Sequence, residues 1–186
     1  MIKNEINKLL KQKERIIIAI DGRCGSGKTT LAAQLKKELD CNVIPADHFF
    51  LRPEQRTSER YAQPGGNIDY ERLESEVLLP LSRGGEFSYK PFDCSSGTLA
   101  QPVFVPQKAI NIVEGSYSCH PRLFGYYDLT IFLTVDREEQ LRRIERRNGS
   151  EMLKMFKEKW IPLEEKYFAE YNVAEKCNII SETSSK

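Results

Sequence analysis

Residues Arg15 to Leu31 read RIIIAIDGRCGSGKTTL, an apolar run followed by a glycine-rich turn and then Lys28 and Thr29. Gly22, four intervening residues, Gly27, Lys28 and Thr29 fit the pattern G-x4-G-K-[ST]. The flanks supply the context this pattern needs: Ile16 to Ile20 predicts a buried strand and Thr30 onward a helix. Gly22, Gly25 and Gly27 allow the chain to wrap, so that the backbone of Arg23, Cys24, Gly25, Ser26 and Thr30 can aim N–H groups at phosphate oxygens beside the positive end of the helix. Lys28 then reaches the outer phosphates and Thr29 offers a hydroxyl to magnesium. The stretch therefore implies a nucleoside triphosphate, with ATP and Mg2+ as the expected cofactors.

Outward from the loop, strand and helix alternate. Met1 to Glu14 has helical spacing through Ile2, Ile6, Leu9 and Leu10, and Thr29 to Leu39 through Leu31, Leu35 and Leu39. Asn42 to Ala46 predicts a second strand that delivers Asp47 at its end. Leu51 to Asp69 has no sustained period and reads as a long loop of the functional kind. Tyr70 to Leu81 returns to a helical pattern that Gly84 and Gly85 close, and Glu86 to Pro106 reads as a hairpin or irregular excursion. Ala109 to Val113 predicts a strand ending in Glu114, and Leu129 to Val135 another ending in Asp136. Pro121 to Tyr127 reads as a short helix or turn between them. Arg137 to Arg147 is a charged helix, Glu151 to Ala169 a helix bent or broken at Pro162, and Cys177 to Ser181 a last strand before a Ser and Lys tail expected to fray. The sum is an α/β domain with a mainly parallel sheet flanked by helices.

Composition narrows the partners. The 186 residues suit one domain, and 28 Lys and Arg against 27 Asp and Glu leave no basic field for nucleic acid or an anionic membrane. Five dispersed cysteines without a C-x-x-C pair suit reduced thiols in a cytoplasm. No apolar run approaches the roughly 20 residues of a spanning helix, and no secretory h-region opens the chain. The expectation is a cytoplasmic protein acting on a small molecule, with homo-oligomerisation left open.

The acids decide the chemistry that phosphate binding prepares. In an open parallel sheet, strand C-terminal ends line the ligand crevice, so Asp47 and Glu114 should share it with the loop. Asp47 is a candidate base for a substrate hydroxyl, or else a turn cap. Glu114 is a candidate magnesium ligand, direct or through water, or else a buried acid satisfied by amides. His48 should point to the opposite face from Asp47, and His120 has no visible partner.

On GRCGSGKTT, ADHFF, IVEGSY, LTIFLTVD with the arginines after it, and the closing WIPLEEKYFAEYNVAEKCNII, the chain resembles the uridine kinase family of P-loop kinases. That family is related to phosphoribulokinase, pantothenate kinase and nicotinamide riboside kinase. The likeness runs over nearly the whole chain. It implies a single P-loop kinase domain over residues 1–186, with the P-loop NTPase fold, a five-stranded mainly parallel sheet and an arginine-rich lid. It also implies transfer of the ATP γ-phosphate to a primary hydroxyl. Asp47 would be the base, Lys28, Arg143 and Arg147 would act on the transferring phosphoryl group, Arg146 would sit on the nucleotide, and Thr29, Asp47 and Glu114 would stand near magnesium.

The acceptor end departs from the family, because PFDCSSGTL keeps Phe92 and Asp93 but lacks the His and Arg that follow them in uridine kinases. Phe92 stacking on a base, Asp93 binding sugar hydroxyls, and Arg56, Arg60 and Tyr61 closing over the acceptor make a nucleoside the expected substrate. Loop packing and solvated charge are the competing account of these residues. Other hydroxyl acceptors (nicotinamide riboside, pantothenate, a sugar phosphate) and a non-catalytic nucleotide-binding regulator remain as alternatives. A guanine-specific switch is disfavoured by the absence of N-K-x-D.

Overall fold

The computed structural model describes residues 2–183, so Met1 and the fraying expected of the Ser and Lys tail lie outside the described residues. Five parallel strands form the central sheet: β1 (Ile16–Gly22), β2 (Cys41–Pro45), β3 (Ile110–Glu114), β4 (Leu129–Thr134) and β5 (Ile179–Glu182). Their order is β2-β3-β1-β4-β5, which puts the loop strand in the middle. Side chains alternate faces along a strand. Ile16, Ile18 and Ile20 therefore pack on one face with Ile6, Ala32 and Leu35, while Ile17 and Ala19 pack on the other with Phe49, Leu73 and Tyr167. A strand covered on both faces needs an unbroken apolar run, and each such side chain contributes about 1.5–3 kcal/mol by leaving water.

Helices α1 (Ile2–Leu10) and α2 (Lys28–Glu38) bear on the first face, and α3 (Arg137–Asn148) and α4 (Ile161–Tyr171) follow β4. α3 is anchored by Gln140 and Ile144, both buried, and is capped by Asp136, whose side chain accepts the N–H groups of Glu138 and Glu139.

Pro162 does not break its helix. The helix runs from Ser150 through a widened π turn at Phe156–Trp160 into α4, and the N–H of Ile161 reaches back to the carbonyl of Phe156. The same device occurs before Pro80, where Leu79 N–H reaches Glu74 between helical segments Tyr70–Leu73 and Leu79–Arg83. A regular helix would drive the proline ring into the carbonyl four residues back, and a wider turn moves that carbonyl aside. Gly84, at φ +70°, closes the second helix as expected.

The expected long loop is less irregular than its sequence. It holds short turns at Pro53–Gln55 and Ser58–Ala62 and is knitted by Arg60, which donates to Gly66 O at 2.9 Å, Ile68 O at 2.8 Å and both carboxylate oxygens of Glu71 at 2.7 Å. The excursion after it makes two short antiparallel ribbons, Phe87–Tyr89 with Val103–Val105 and Phe92–Asp93 with Thr98–Leu99.

Candidate active site

The phosphate loop begins where β1 runs hard against β4. Gly22, at φ +135°, lies so close to the Leu133 carbonyl that no β-carbon fits there, and Arg23 N–H donates to that same carbonyl at 3.1 Å. Gly27, at φ +92°, turns the chain into α2. Lys28 is buried, and its ammonium donates to Gly22 O at 2.6 Å, Arg23 O at 3.0 Å and Ser116 Oγ at 3.2 Å. The hydroxyl of Ser26 is buried in the same turn with no hydrogen-bond partner among the described residues.

Asp47 and Glu114 meet at this end of the sheet. Asp47 does not sit on the strand end as expected; it lies beyond β2 in the 3₁₀ turn Ala46–Phe49, and remains exposed to solvent. Glu114 is the last residue of β3 and is buried. Gly115, at φ +144°, makes their approach possible, because a β-carbon there would stand 2.8 Å from Ala46 Cβ and 3.4 Å from Asp47 Oδ1. Thr29 Oγ1 lies 3.3 Å from each oxygen of Glu114, as a donor to that carboxylate. Burial and then the like charge of Asp47 push the Glu114 carboxyl above its ordinary range, against the pull of Lys28 and Thr29. The protein packed around the crevice raises Asp47 too, opposed by Lys28, His48 and Arg147, and its access to solvent limits that rise. His48 points elsewhere, with Nδ1 2.9 Å from the hydroxyl of Tyr89.

The donor set fits magnesium. Two mutually repelling carboxylates and a hydroxyl are hard oxygen donors whose strain a dication would relieve, and Mg2+ binds through one or two carboxylates while keeping several waters. Thr29, Asp47 and Glu114 are the residues that would hold it.

Several phosphate-loop and lid residues do other work than expected. The Arg23 guanidinium turns away from the loop to pair with Glu165 at 2.7 and 3.0 Å and with Thr134 Oγ1 at 2.6 Å. Cys24 N–H donates to Glu164 Oε2 at 2.9 Å, and burial pushes its thiol far up. Arg143 is fastened to the loop itself, donating to Gly25 O at 3.1 Å, to Thr183 Oγ1 at 3.0 Å and to Glu139 at 2.7 Å. Arg146 and Arg147 are exposed; Arg147 donates to Asn148 at 2.8 Å and its charge is felt at Asp47.

The expected acceptor residues divide. Arg56 stands 5.7 Å from the Phe92 ring and donates to Leu51 O at 3.0 Å; Phe92 is buried, and its ribbon packs on the turn that carries Asp47. Asp93 accepts Ser95 N–H at 2.8 Å and Ser95 Oγ at 2.6 Å, bonds that hold its carboxyl below the usual range and spend it on the turn. Arg60 is committed to Glu71 and lies 4.2 Å over the Tyr70 ring, while Tyr61 takes the Lys159 ammonium at 4.8 Å. Arg56, Phe92 and Asp93 thus belong to the Asp47 side of the crevice, and Arg60 serves the loop fold.

Other residues escaped the sequence reading. Asp21 is fully buried behind the loop, where it accepts Gly22 N–H at 2.6 Å, Tyr117 N–H at 3.1 Å, Cys119 N–H at 2.8 Å and Tyr167 O–H at 2.8 Å. Burial outweighs those bonds and raises it to about 6. Its one signal in the sequence was a lone acid inside an apolar strand. Ser116 and Glu164 share a 2.6 Å hydrogen bond beneath Lys28, and Gln140 donates to Cys24 O at 3.0 Å; Ser116 and Glu164 lie inside the stretches IVEGSY and WIPLEEKYF, but neither was given a role there. His120 proves to be the cap of helix Pro121–Phe124, accepting Arg122 N–H at 3.3 Å and stacking on Tyr70 at 4.1 Å.

The NB-ARC domain model matches residues 1–43, under a quarter of the chain and the part that holds the phosphate loop. Nicotinamide riboside kinase 1 of Mus musculus is 34% identical over 139 residues, covering 70% of this chain and 65% of that protein. Its Homo sapiens counterpart is 33% identical over 138 residues, covering 68% of this chain and 62% of that protein. The chain thus spans less than two thirds of these relatives' length. A possible uridine kinase from Bacillus stearothermophilus superposes with a TM-score of 0.68 at 19% identity, over 96% of this chain and 98% of that one, which shows the shared fold. No helix among the described residues is long and apolar enough to cross a membrane. With the phosphate loop at the centre of a β2-β3-β1-β4-β5 sheet, one acid ending β3 and another just beyond β2, the chain has the fold of the P-loop kinases and is similar in sequence to nicotinamide riboside kinase 1.

Proposed function

We propose that the protein is an ATP- and magnesium-dependent small-molecule kinase that transfers the γ-phosphate to a primary hydroxyl of a riboside. The observation that carries this reading is the approach of Asp47 to Glu114 across Gly115, at the strand ends that also present Lys28 and Thr29. A nucleotide sensor needs the loop and a metal ligand but has no use for a second, solvent-reached carboxylate beside them. In the proposed reaction Asp47 orients the acceptor hydroxyl and takes its proton as the oxygen attacks phosphorus. Lys28 and Arg147 stabilise charge on the transferring group, and the loop amides fix the chain of phosphates. Magnesium, held near Thr29, Glu114 and Asp47, would supply charge neutralisation between the phosphates.

A riboside is supported by Arg56 on the Asp47 side of the crevice and by the likeness to nicotinamide riboside kinase 1, whereas the Phe92 ring is buried and leaves no face for the base stacking expected of it. The His and Arg missing after Asp93 would otherwise fix a pyrimidine edge, so loose base preference is expected, uridine and cytidine included. Apolar packing alone separates rival bases by only about 10- to 200-fold. The test incubates the protein with magnesium ATP and uridine, cytidine, purine nucleosides, nicotinamide riboside, pantothenate or a sugar phosphate, reading ADP release and product mass. Phosphorylation of pantothenate or a sugar phosphate without any riboside would sink the acceptor class; ADP release with no acceptor at all would sink the kinase reading.

A further inference from the structure

One stretch of α4 grips the first half of the phosphate loop residue by residue. Tyr167 donates to Asp21 at 2.8 Å, Glu165 takes the Arg23 guanidinium, and Glu164 takes the Cys24 N–H at 2.9 Å. Glu164 is the unusual member, a carboxylate only 5% exposed with no Lys or Arg of the described residues directly on it. Its second oxygen accepts the hydroxyl of Ser116 at 2.6 Å, and Ser116 Oγ in turn receives the Lys28 ammonium at 3.2 Å. A buried carboxylate is costly unless its charge is answered, and the cation that answers it stands one hydroxyl away.

We propose that Glu164, acting through Ser116, is the positioning residue for Lys28. By accepting the Ser116 proton it turns that oxygen's lone pairs toward the ammonium, and bonds in series polarise one another, which makes Ser116 Oγ a stronger acceptor than an isolated hydroxyl. The other two acceptors of Lys28, Gly22 O and Arg23 O, belong to the loop itself, and Glu164 fixes the backbone between Arg23 and Gly25 through Cys24 N–H. Glu164 thus sets the ammonium from one side and the turn beneath it from the other. The inference rests on Lys28 being the group that meets the outer phosphates.

Because Lys28 would touch the outer phosphates, its placement should be legible in how strongly the protein prefers ATP to AMP, measured by calorimetry with magnesium and no acceptor. Ser116→Ala and Glu164→Ala are each expected to cut that preference about tenfold, the worth of one hydrogen bond to a charged group. Glu164→Gln, whose single oxygen can accept from Cys24 N–H or from Ser116 but not from both, should fall between wild type and Glu164→Ala. With an acceptor in hand, kcat should fall in the two alanine variants more than KM for ATP rises. If Glu164→Ala does not fold, Ser116→Ala decides, since it removes one oxygen. A folded Ser116→Ala protein with the wild-type ATP preference would overturn the proposal. Should the wild type prefer ATP yet phosphorylate nothing, the kinase reading fails and this one is still judged by the ratio.

Discussion

Arg143 donates to the carbonyl of Gly25 at 3.1 Å, so the helix bearing the lid arginines is fastened to the phosphate loop it was expected to close over. Arg143→Ala should therefore lower triphosphate affinity and kcat together and reduce stability by about 1–3 kcal/mol, since half-buried charged hydrogen bonds are lost. Arg147→Ala, which gives up an exposed side chain, should lower kcat about tenfold or more with little change in Tm. Steady-state kinetics and thermal melts on both variants check this, and matching profiles would refute the division of labour.

Asp47→Asn should bind ATP about as well as wild type and lose roughly 10²- to 10⁴-fold in kcat. A base must be deprotonated to act, and the raised carboxyl moves that requirement upward. The acid limb of kcat/KM should accordingly lie above the ordinary aspartate value of about 4. A variant that keeps most of its turnover would remove Asp47 from the role.

Glu114→Gln should raise the magnesium needed for half-maximal turnover about 10- to 100-fold, the usual cost of disturbing a metal's supporting groups. It also deletes a negative charge beside Asp47. The acid limb should then move to lower pH, and an unmoved limb would mean the two carboxyls do not interact.

Within the expected acceptor set, Arg56 and Arg60 should part company. Arg56→Ala should raise acceptor KM with Tm nearly unchanged. Arg60→Ala should lower stability by about 1–2 kcal/mol, because its bonds are only partly shielded from solvent, and affect KM through the loop it knits. Equal melting temperatures would contradict the structural role given to Arg60.

Two buried groups titrate with opposite sign over one pH window. Burial lowers His120 to about 4, so its stabilisation is full above its unfolded value of about 6.5 and is lost as pH falls toward 4. Asp21, raised to about 6, behaves in reverse: stability is greater below about 4 and declines as pH rises through 6. Each is worth at most about 3 kcal/mol. Relative to His120→Asn, which keeps a capping oxygen but does not titrate, the wild type should lose its advantage between pH 6.5 and 4. Denaturant melts across that range give the difference, and a constant one would exclude His120.

The sheet and the heart of the site were legible because both are written in local patterns. Ile16 to Ile20 read as a buried strand, and glycine spacing with Lys28 and Thr29 specified the turn after it. Glu114 followed from its place at the end of an apolar run. Arg23 and Glu165, or Cys24 and Glu164, are 140 or more residues apart and meet through polar contacts that leave no periodic trace. Arg60 misled for a related reason, since a loop arginine looks the same whether it awaits a ligand or already holds Glu71. Asp93 and a turn that needs a carboxylate are likewise indistinguishable until Ser95 is seen to occupy it.

The π turns before Pro80 and Pro162 bear on how such helices change over time. A π turn is a helix with one residue too many, so each proline is tolerated only because a neighbouring insertion has already moved the opposing carbonyl. Deleting a residue from 156–160 while Pro162 remains would return the clash and rotate Tyr167, Glu164 and Glu165 off the phosphate loop by about 100°, one residue's share of a 3.6-residue turn. Insertion and proline are therefore coupled states of one helix, and relatives with a regular α-helix here should lack both.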